Sequence, residues 1–189
     1  MIMKQFAALF CRSDSAYKNR IAWDVYDISR DATSYDKDMP IVCHPPCRSW
    51  GRLSHMATNV RKGEKELGIW SINMILKKGG ILEHPSGSKL FNHVPTNKGF
   101  IIEIDQYDFG HVAHKMTKLF IYGIDKSQLP QLPPKDNSVH LCEKGKTRSI
   151  CGNVKGTTRC TQYQREYTPE KLIDFIEQIL TKIKLNNEN

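Results

Sequence analysis

Short apolar runs alternate with polar, turn-rich segments along most of the chain, and the period of each run predicts its element. Strands are expected at residues 6–11, 22–27, 41–43, 80–83, 100–105 and 118–122. Several are near-continuous apolar runs, as in Phe6-Ala-Ala-Leu-Phe and Ile41-Val-Cys, the pattern of strands covered on both faces. A helix is expected over 64–78, where Leu67, Trp70, Met74 and Ile75 recur at spacings of three and four and Gly79-Gly80 supplies the stop. On that reading Trp70 is core packing. Thr168-Pro169-Glu170 starts a second helix with an N-cap and a proline at the first helical position. It runs on through Leu172, Phe175, Ile176, Ile179 and Ile183, and residues 186–189 are expected to fray. Strands alternating with helices predict a single α/β domain over residues 1–189, Rossmann-like, with a mostly parallel central sheet. Residues 123–167 break the pattern: they lack periodicity, are rich in turn formers, and form a basic loop of a length that is usually functional.

Composition narrows the class. With 189 residues, 39% hydrophobic and 25% charged, the chain can bury a core and is unlike a disordered segment. No apolar stretch approaches the roughly 18–20 residues of a membrane span. The first apolar run meets Arg12-Ser-Asp-Ser with no small-residue cleavage site, so it reads as a strand and the expected location is the cytoplasm. Six cysteines, at 11, 43, 47, 142, 151 and 160, are too sparse for a disulfide framework. The formal net charge of +8 implies a polyanionic partner. Lys144, Lys146, Arg148, Lys155, Arg159 and Arg165 crowd one segment, readable either as a solvated loop or as a phosphate-contacting surface. DNA or a nucleotide is the expected partner, with no membrane; nothing in the sequence speaks to protein partners.

Two strand ends carry the candidate chemistry. In Ile41-Val-Cys-His-Pro-Pro-Cys-Arg-Ser-Trp-Gly-Arg52 a strand stops at two prolines, which stiffen the loop and aim Cys47 outward. Polar groups at such carboxyl ends face the crevice where open α/β sheets bind ligands. Arg48 and Arg52 nearby are expected to lower the thiol pKa and raise its nucleophilicity; the alternative is a small semi-buried cysteine. Cys43, His44 and Cys47 cluster, but neither they nor the later cysteines have zinc-knuckle spacing, so no metal is expected. In Gly79-Gly-Ile-Leu-Glu-His-Pro85 a second strand ends in Glu83, readable as a proton donor or base-edge anchor, or as a plain capping carboxylate. Ser88 and Lys89 are candidate phosphate contacts. His111 and His114 are candidate acids or bases, an ordinary surface role being the alternative.

These motifs resemble the cytosine-5 DNA methyltransferases, especially compact phage-encoded forms. Pro45-Pro46-Cys47 is similar to the family's nucleophile loop, and Glu83-His84-Pro85 to its Glu-Asn-Pro motif, with His84 in place of asparagine. Tyr26-Asp27-Ile28 looks like the strand end whose carboxylate holds the cofactor ribose, and Asp31 falls where the family has an acid near the adenine. Gln106-Tyr-Asp-Phe-Gly-His111 and the segment from Lys115 are similar to the phage-type region beyond the core, so the resemblance spans roughly residues 6–125. It implies a methyltransferase-type fold with Cys47 attacking a pyrimidine and Glu83 binding and protonating the base. It also implies S-adenosylmethionine as cofactor, with Asp27, Asp31 and Pro45 beside it, and a host cytoplasmic location if the protein is phage-encoded. Base flipping would be needed on duplex DNA. Two departures stand out. The glycine-rich turn after the first strand is replaced by Cys11-Arg-Ser-Asp-Ser-Ala-Tyr17, where Ser13 and Asp14 either cap a helix or bind a phosphate or ribose. The large target-recognition domain is missing, leaving DNA contacts to loops around 48–65 and 144–165, with Arg48, Arg52, His84, Ser88, Lys89, His111, Lys115, Lys144, Lys146 and Arg148 as candidates. Two other readings stand beside this one: a non-catalytic nucleic-acid or nucleotide binder derived from the fold, and a protein that works by contacting another protein.

Overall fold

The computed structural model describes residues 3–51, 54–57, 60–136 and 161–188. Arg52, Lys144, Lys146 and Arg148, and Cys142, Cys151 and Cys160, lie outside the described residues, as does most of the expected basic loop.

Six strands form one sheet: β1 (Phe6–Leu9), β2 (Trp23–Tyr26), β3 (Ile41–Cys43), β4 (Gly80–Pro85), β5 (Phe100–Asp105) and β6 (Met116–Tyr122). Their order is β2-β1-β3-β4-β6-β5. β1 pairs in parallel with β2 and β3, and β3 with β4; β6 alone runs against its neighbours β4 and β5. The chain therefore has the expected α/β architecture, a Rossmann-like sheet of the methyltransferase type. Strand order reverses at β1, so the ligand crevice of such a sheet falls beyond the carboxyl ends of β1 and β3.

Period-two alternation sorts the strand residues onto two faces. Phe6, Ala8, Val42, Ile81, Leu119 and Ile121 pack against helix α3 (Glu170–Glu188) through Leu172, Ile173, Ile176, Ile179, Leu180 and Ile183. Ala7, Leu9, Ile41, Cys43, Leu82 and Phe120 cover the other face with helix α1 (Glu64–Lys78). The two helices were legible from their spacing, but the buried stripe of α1 is Gly68, Ser71, Ile72 and Ile75; Leu67, Trp70 and Met74 flank it, only partly buried. Gly68 lets the helix backbone close on the Trp50 indole and Leu90, and that contact turns the stripe by about one residue. Trp70 still packs, edge-on to Phe10 at 5.8 Å between centroids.

Three details differ from expectation. β1 stops at Leu9 because Phe10 leaves the strand at φ 62°, a left-handed conformation that a residue with a side chain seldom adopts. α3 continues through the tail expected to fray, with Asn186 donating to the Gly123 carbonyl (3.1 Å) and Asn187 to that of Lys78 (3.2 Å). The described parts of the long loop carry structure: a 3-10 turn at Lys126–Gln128, and a short helix α2 (Gln162–Glu166) capped by Thr161. Among the described residues no helix is long and apolar enough to cross a membrane.

Candidate functional site

The Pro-Pro-Cys loop leaves β3 at the crevice. The His44 N–H donates to the Leu9 carbonyl (3.0 Å), which fastens the start of the loop to the end of β1. The N–H groups of Trp50 and Gly51 close a turn on the Cys47 carbonyl (3.1 and 2.9 Å), and Cys47 itself is exposed. Between these anchors Pro45 is buried, and its carbonyl accepts a hydrogen bond from His84 Nε2 at 3.2 Å. The Pro-Pro-Cys and Glu-His-Pro segments, on neighbouring parallel strands, are thus tied together by the histidine that replaces asparagine in the resemblance.

Glu83, in β4 one residue past its last pair with β3, holds partners on both carboxylate oxygens. His44 Nδ1 lies 2.9 Å from Oε2, and Gln106 Nε2 donates to Oε1 at 2.9 Å. Gln106 is fully buried and also donates to Thr117 Oγ1 (3.0 Å), and its own Oε1 has no hydrogen-bond partner among the described residues. Behind His44 stands Tyr17, 1% exposed, with its hydroxyl 3.3 Å from Nε2. Burial alone would raise the Glu83 carboxyl, but the His44 hydrogen bond and the Lys115 charge outweigh it and hold the group at about 2. Glu83 is therefore a carboxylate acceptor, and the proton-donor role expected for it is not its resting state.

The Cys47 thiol runs opposite to expectation. Although the residue is exposed at the surface, partial desolvation of its thiol first, and then the negative charge of Glu83, push it above the ordinary thiol range, with Lys115 acting the other way. Arg48 does not assist, because its guanidinium pairs with the buried Glu64 (Nε to Oε1, 2.9 Å). Lys115 acts electrostatically on both Cys47 and Glu83, which assembles thiol, carboxylate and one cation on a single rim. Its ammonium also donates to the Tyr167 carbonyl beside α2 (3.4 Å).

Other expected contacts point elsewhere. His84 is 1% exposed, and burial lowers its pKa, so it serves the loop as a neutral donor and does not face a substrate. Ser88 is buried and caps the turn Lys89–His93 by accepting from the Leu90 N–H (3.1 Å), so it is not an exposed phosphate contact. Lys89 is exposed at that turn, with its N–H on the Trp50 carbonyl. His111, also buried and pushed down by burial, donates from Nδ1 to the Ala113 carbonyl (2.7 Å) and has no surface position. His114 pairs with Asp105.

The cofactor expected from the resemblance can be tested against the residues at the ends of β1 and β2. Asp27 stands at the end of β2, but its carboxylate is engaged by Lys18 and by both the N–H (2.9 Å) and the hydroxyl (2.6 Å) of Ser29, which hold it well below the usual carboxylate range. Asp31 caps an exposed turn through Thr33. Asp14 pairs with Arg12 (2.9 Å) on an exposed turn that also carries Ser13. After β1 the left-handed position holds Phe10 where a glycine would admit a ligand, and Tyr17 fills the crevice between Trp23 (4.6 Å) and His44 (5.5 Å). As folded, these residues do not fit S-adenosylmethionine. A cavity of about 650 Å³ lies at the opposite end of the sheet, among Gly79, Gly99, Gly123 and Asn186.

Three members of the site were not singled out from sequence as partners of Glu83: His44, Gln106 and Tyr17. For His44 and Gln106 the available signal was their position, each just past a strand end; Tyr17, in the 3-10 turn Ala16–Asn19, had no such signal.

No known sequence family and no curated protein matches the chain. Among solved structures it is similar to a prophage-encoded chain of E. coli named as a candidate DNA modification methyltransferase. The TM-score is 0.45 at 13% identity, over 78% of this chain and 56% of that one. The chain thus spans little more than half the length of the protein it matches. Its own sheet order, with one reversed strand between two forward ones, is that of a Rossmann-like, mostly parallel α/β fold.

Proposed function

We propose that this protein acts on a pyrimidine base in DNA or in a nucleotide, with Cys47 as the nucleophile toward ring carbon C6 and Glu83 as the carboxylate that holds the base edge. One observation carries the reading: the loop that bears Cys47 leaves β3 where Glu83 follows the last β4 residue paired with β3, and the two segments are joined through the His84 to Pro45 hydrogen bond, with Lys115 acting on both groups. Ionised Glu83 accepts the exocyclic N–H of an amino-bearing pyrimidine, the pairing that distinguishes cytosine from thymine. The Cys47 thiolate adds to C6, and the C5=C6 electron pair moves toward N3. The resulting enamine takes a solvent proton at C5; loss of the original C5 hydrogen and of sulfur restores the ring. In duplex DNA the base must first leave the stack. S-adenosylmethionine supplies a methyl group to C5 in the enzymes this chain resembles. With Asp27 tied to Lys18, the chemistry its own residues support is the addition at C6.

The raised thiol and the closed Asp27 favour a second reading, a binder that holds a nucleic acid or nucleotide without turning it over. Exchange of the cytosine C5 hydrogen for deuterium, followed by mass spectrometry on a single-stranded oligonucleotide in D₂O, separates the two. The enzyme reading expects exchange that quickens as pH rises and thiolate forms, is lost in Cys47→Ala, and leaves binding intact. Binding with no exchange above the Cys47→Ala level, even at alkaline pH, refutes it in favour of the binder.

A further inference from the structure

We infer that His44 is the positioning residue of this site: braced by Tyr17, it fixes the orientation and the negative charge of Glu83 for contact with a base. The inference rests on the pyrimidine reading above for its purpose, while its geometry stands alone.

His44 and Glu83 are 39 residues apart in sequence, yet their side chains meet at 2.9 Å with only 13% and 12% exposed. A hydrogen bond to an ionised group in so dry a place is strong, and leaving it unmade is costly. Ionised Glu83 offers lone pairs only, so Nδ1 of His44 must carry the hydrogen between them. Nε2 then faces the Tyr17 hydroxyl, and the two rings pack 5.5 Å apart between centroids. The backbone N–H of His44 is fixed on Leu9, so imidazole and main chain are both held. On the far side Gln106 fixes the other oxygen. Each carboxylate oxygen keeps a lone pair beyond these bonds, which leaves Glu83 able to accept from a ligand while unable to turn. Lys115 also bears on Glu83, by charge across space, while its ammonium donates to Tyr167, and the buried, neutral His84 is engaged with the Pro45 carbonyl.

The test uses the full chain with ¹³C-carboxyl-labelled glutamate and three variants. His44→Leu removes the donor, His44→Asn keeps an amide donor close to the position of Nδ1, and Tyr17→Phe removes only the bracing hydroxyl. The Glu83 carboxyl signal should stay flat down to strongly acid pH in the wild type and in His44→Asn. In His44→Leu it should titrate closer to the ordinary range. Deuterium exchange at cytosine C5 should slow on the order of 100-fold in His44→Leu, the cost of misplacing a reacting group by about 1 Å. It should slow less in Tyr17→Phe and recover largely in His44→Asn. Identical Glu83 titration in wild type and His44→Leu overturns the inference, as does a His44→Asn variant as slow as His44→Leu. Should His44→Leu not fold, the ordering of wild type, His44→Asn and Tyr17→Phe in exchange rate decides the same point. If the wild type exchanges no deuterium, the pyrimidine reading fails, and the Glu83 titration still decides the role of His44.

Discussion

Gly68 is the position where local preference and tertiary packing pull hardest in opposite directions. It lies in the middle of α1, where replacing glycine with alanine ordinarily stabilises a helix by about 1 kcal/mol. Here a Cβ would stand 2.6 Å from Trp50 Nε1 and 2.9 Å from Leu90 Cδ1, both side chains being buried. The indole cannot simply swing away: His93 lies against it at 5.2 Å, Lys65 covers it at 5.4 Å, and its backbone carbonyl receives the Lys89 N–H. Overpacking costs about 1–3 kcal/mol, and a contact this short falls in the upper part of that range, so about 2–3 kcal/mol less about 1 kcal/mol of helix propensity leaves Gly68→Ala destabilised by about 1–2 kcal/mol. The strain has a route to the site, because the Trp50 N–H holds the Cys47 carbonyl at 3.1 Å. Urea unfolding should show a lower midpoint at unchanged slope, together with slower C5 deuterium exchange. A Gly68→Ala protein as stable as the wild type, or more so, would refute the packing argument.

The Glu83 carboxyl is held at about 2 in the folded protein, against roughly 4.3 in an unfolded chain, so on acidification the unfolded state takes up this proton first. Its contribution to stability is full above the unfolded value and is lost as pH falls toward about 2; the stability curve of Glu83→Gln should be flatter across that acid range, and curves of equal slope would contradict the pairing. Lys18→Ala should free the Asp27 carboxylate and tighten binding of S-adenosylmethionine over wild type by calorimetry; equal affinities would show that Lys18 is not what closes the crevice.

The sequence by itself determined the elements. Strand and helix periods are local properties, and the six apolar runs became six strands within a few residues of their expected ends. The Thr168-Pro169 start and the Gly79-Gly80 stop marked the two long helices because capping and backbone freedom act within one turn. Cys47 and Glu83 were legible for the same reason: Cys47 lies in the loop that leaves β3, Glu83 comes one residue after the last β4 residue paired with β3, and parallel strands deliver such residues to one rim.

What only the tertiary structure decided is which side chain each of these meets. His44 with Glu83 and His84 with Pro45 are both contacts across 39 residues, set by β3 and β4 lying side by side, and no local pattern encodes that adjacency. The same holds for charge. Arg48, adjacent to Cys47 in sequence, turns away to Glu64, while Lys115, 68 positions later by its number, supplies the cation the thiol feels. Desolvation wins at the thiol and raises it, whereas at Glu83 the fixed partners outweigh desolvation and hold the carboxylate down. Desolvation and hydrogen-bond geometry depend on every element packed around a group, so they come into being only when the sheet closes.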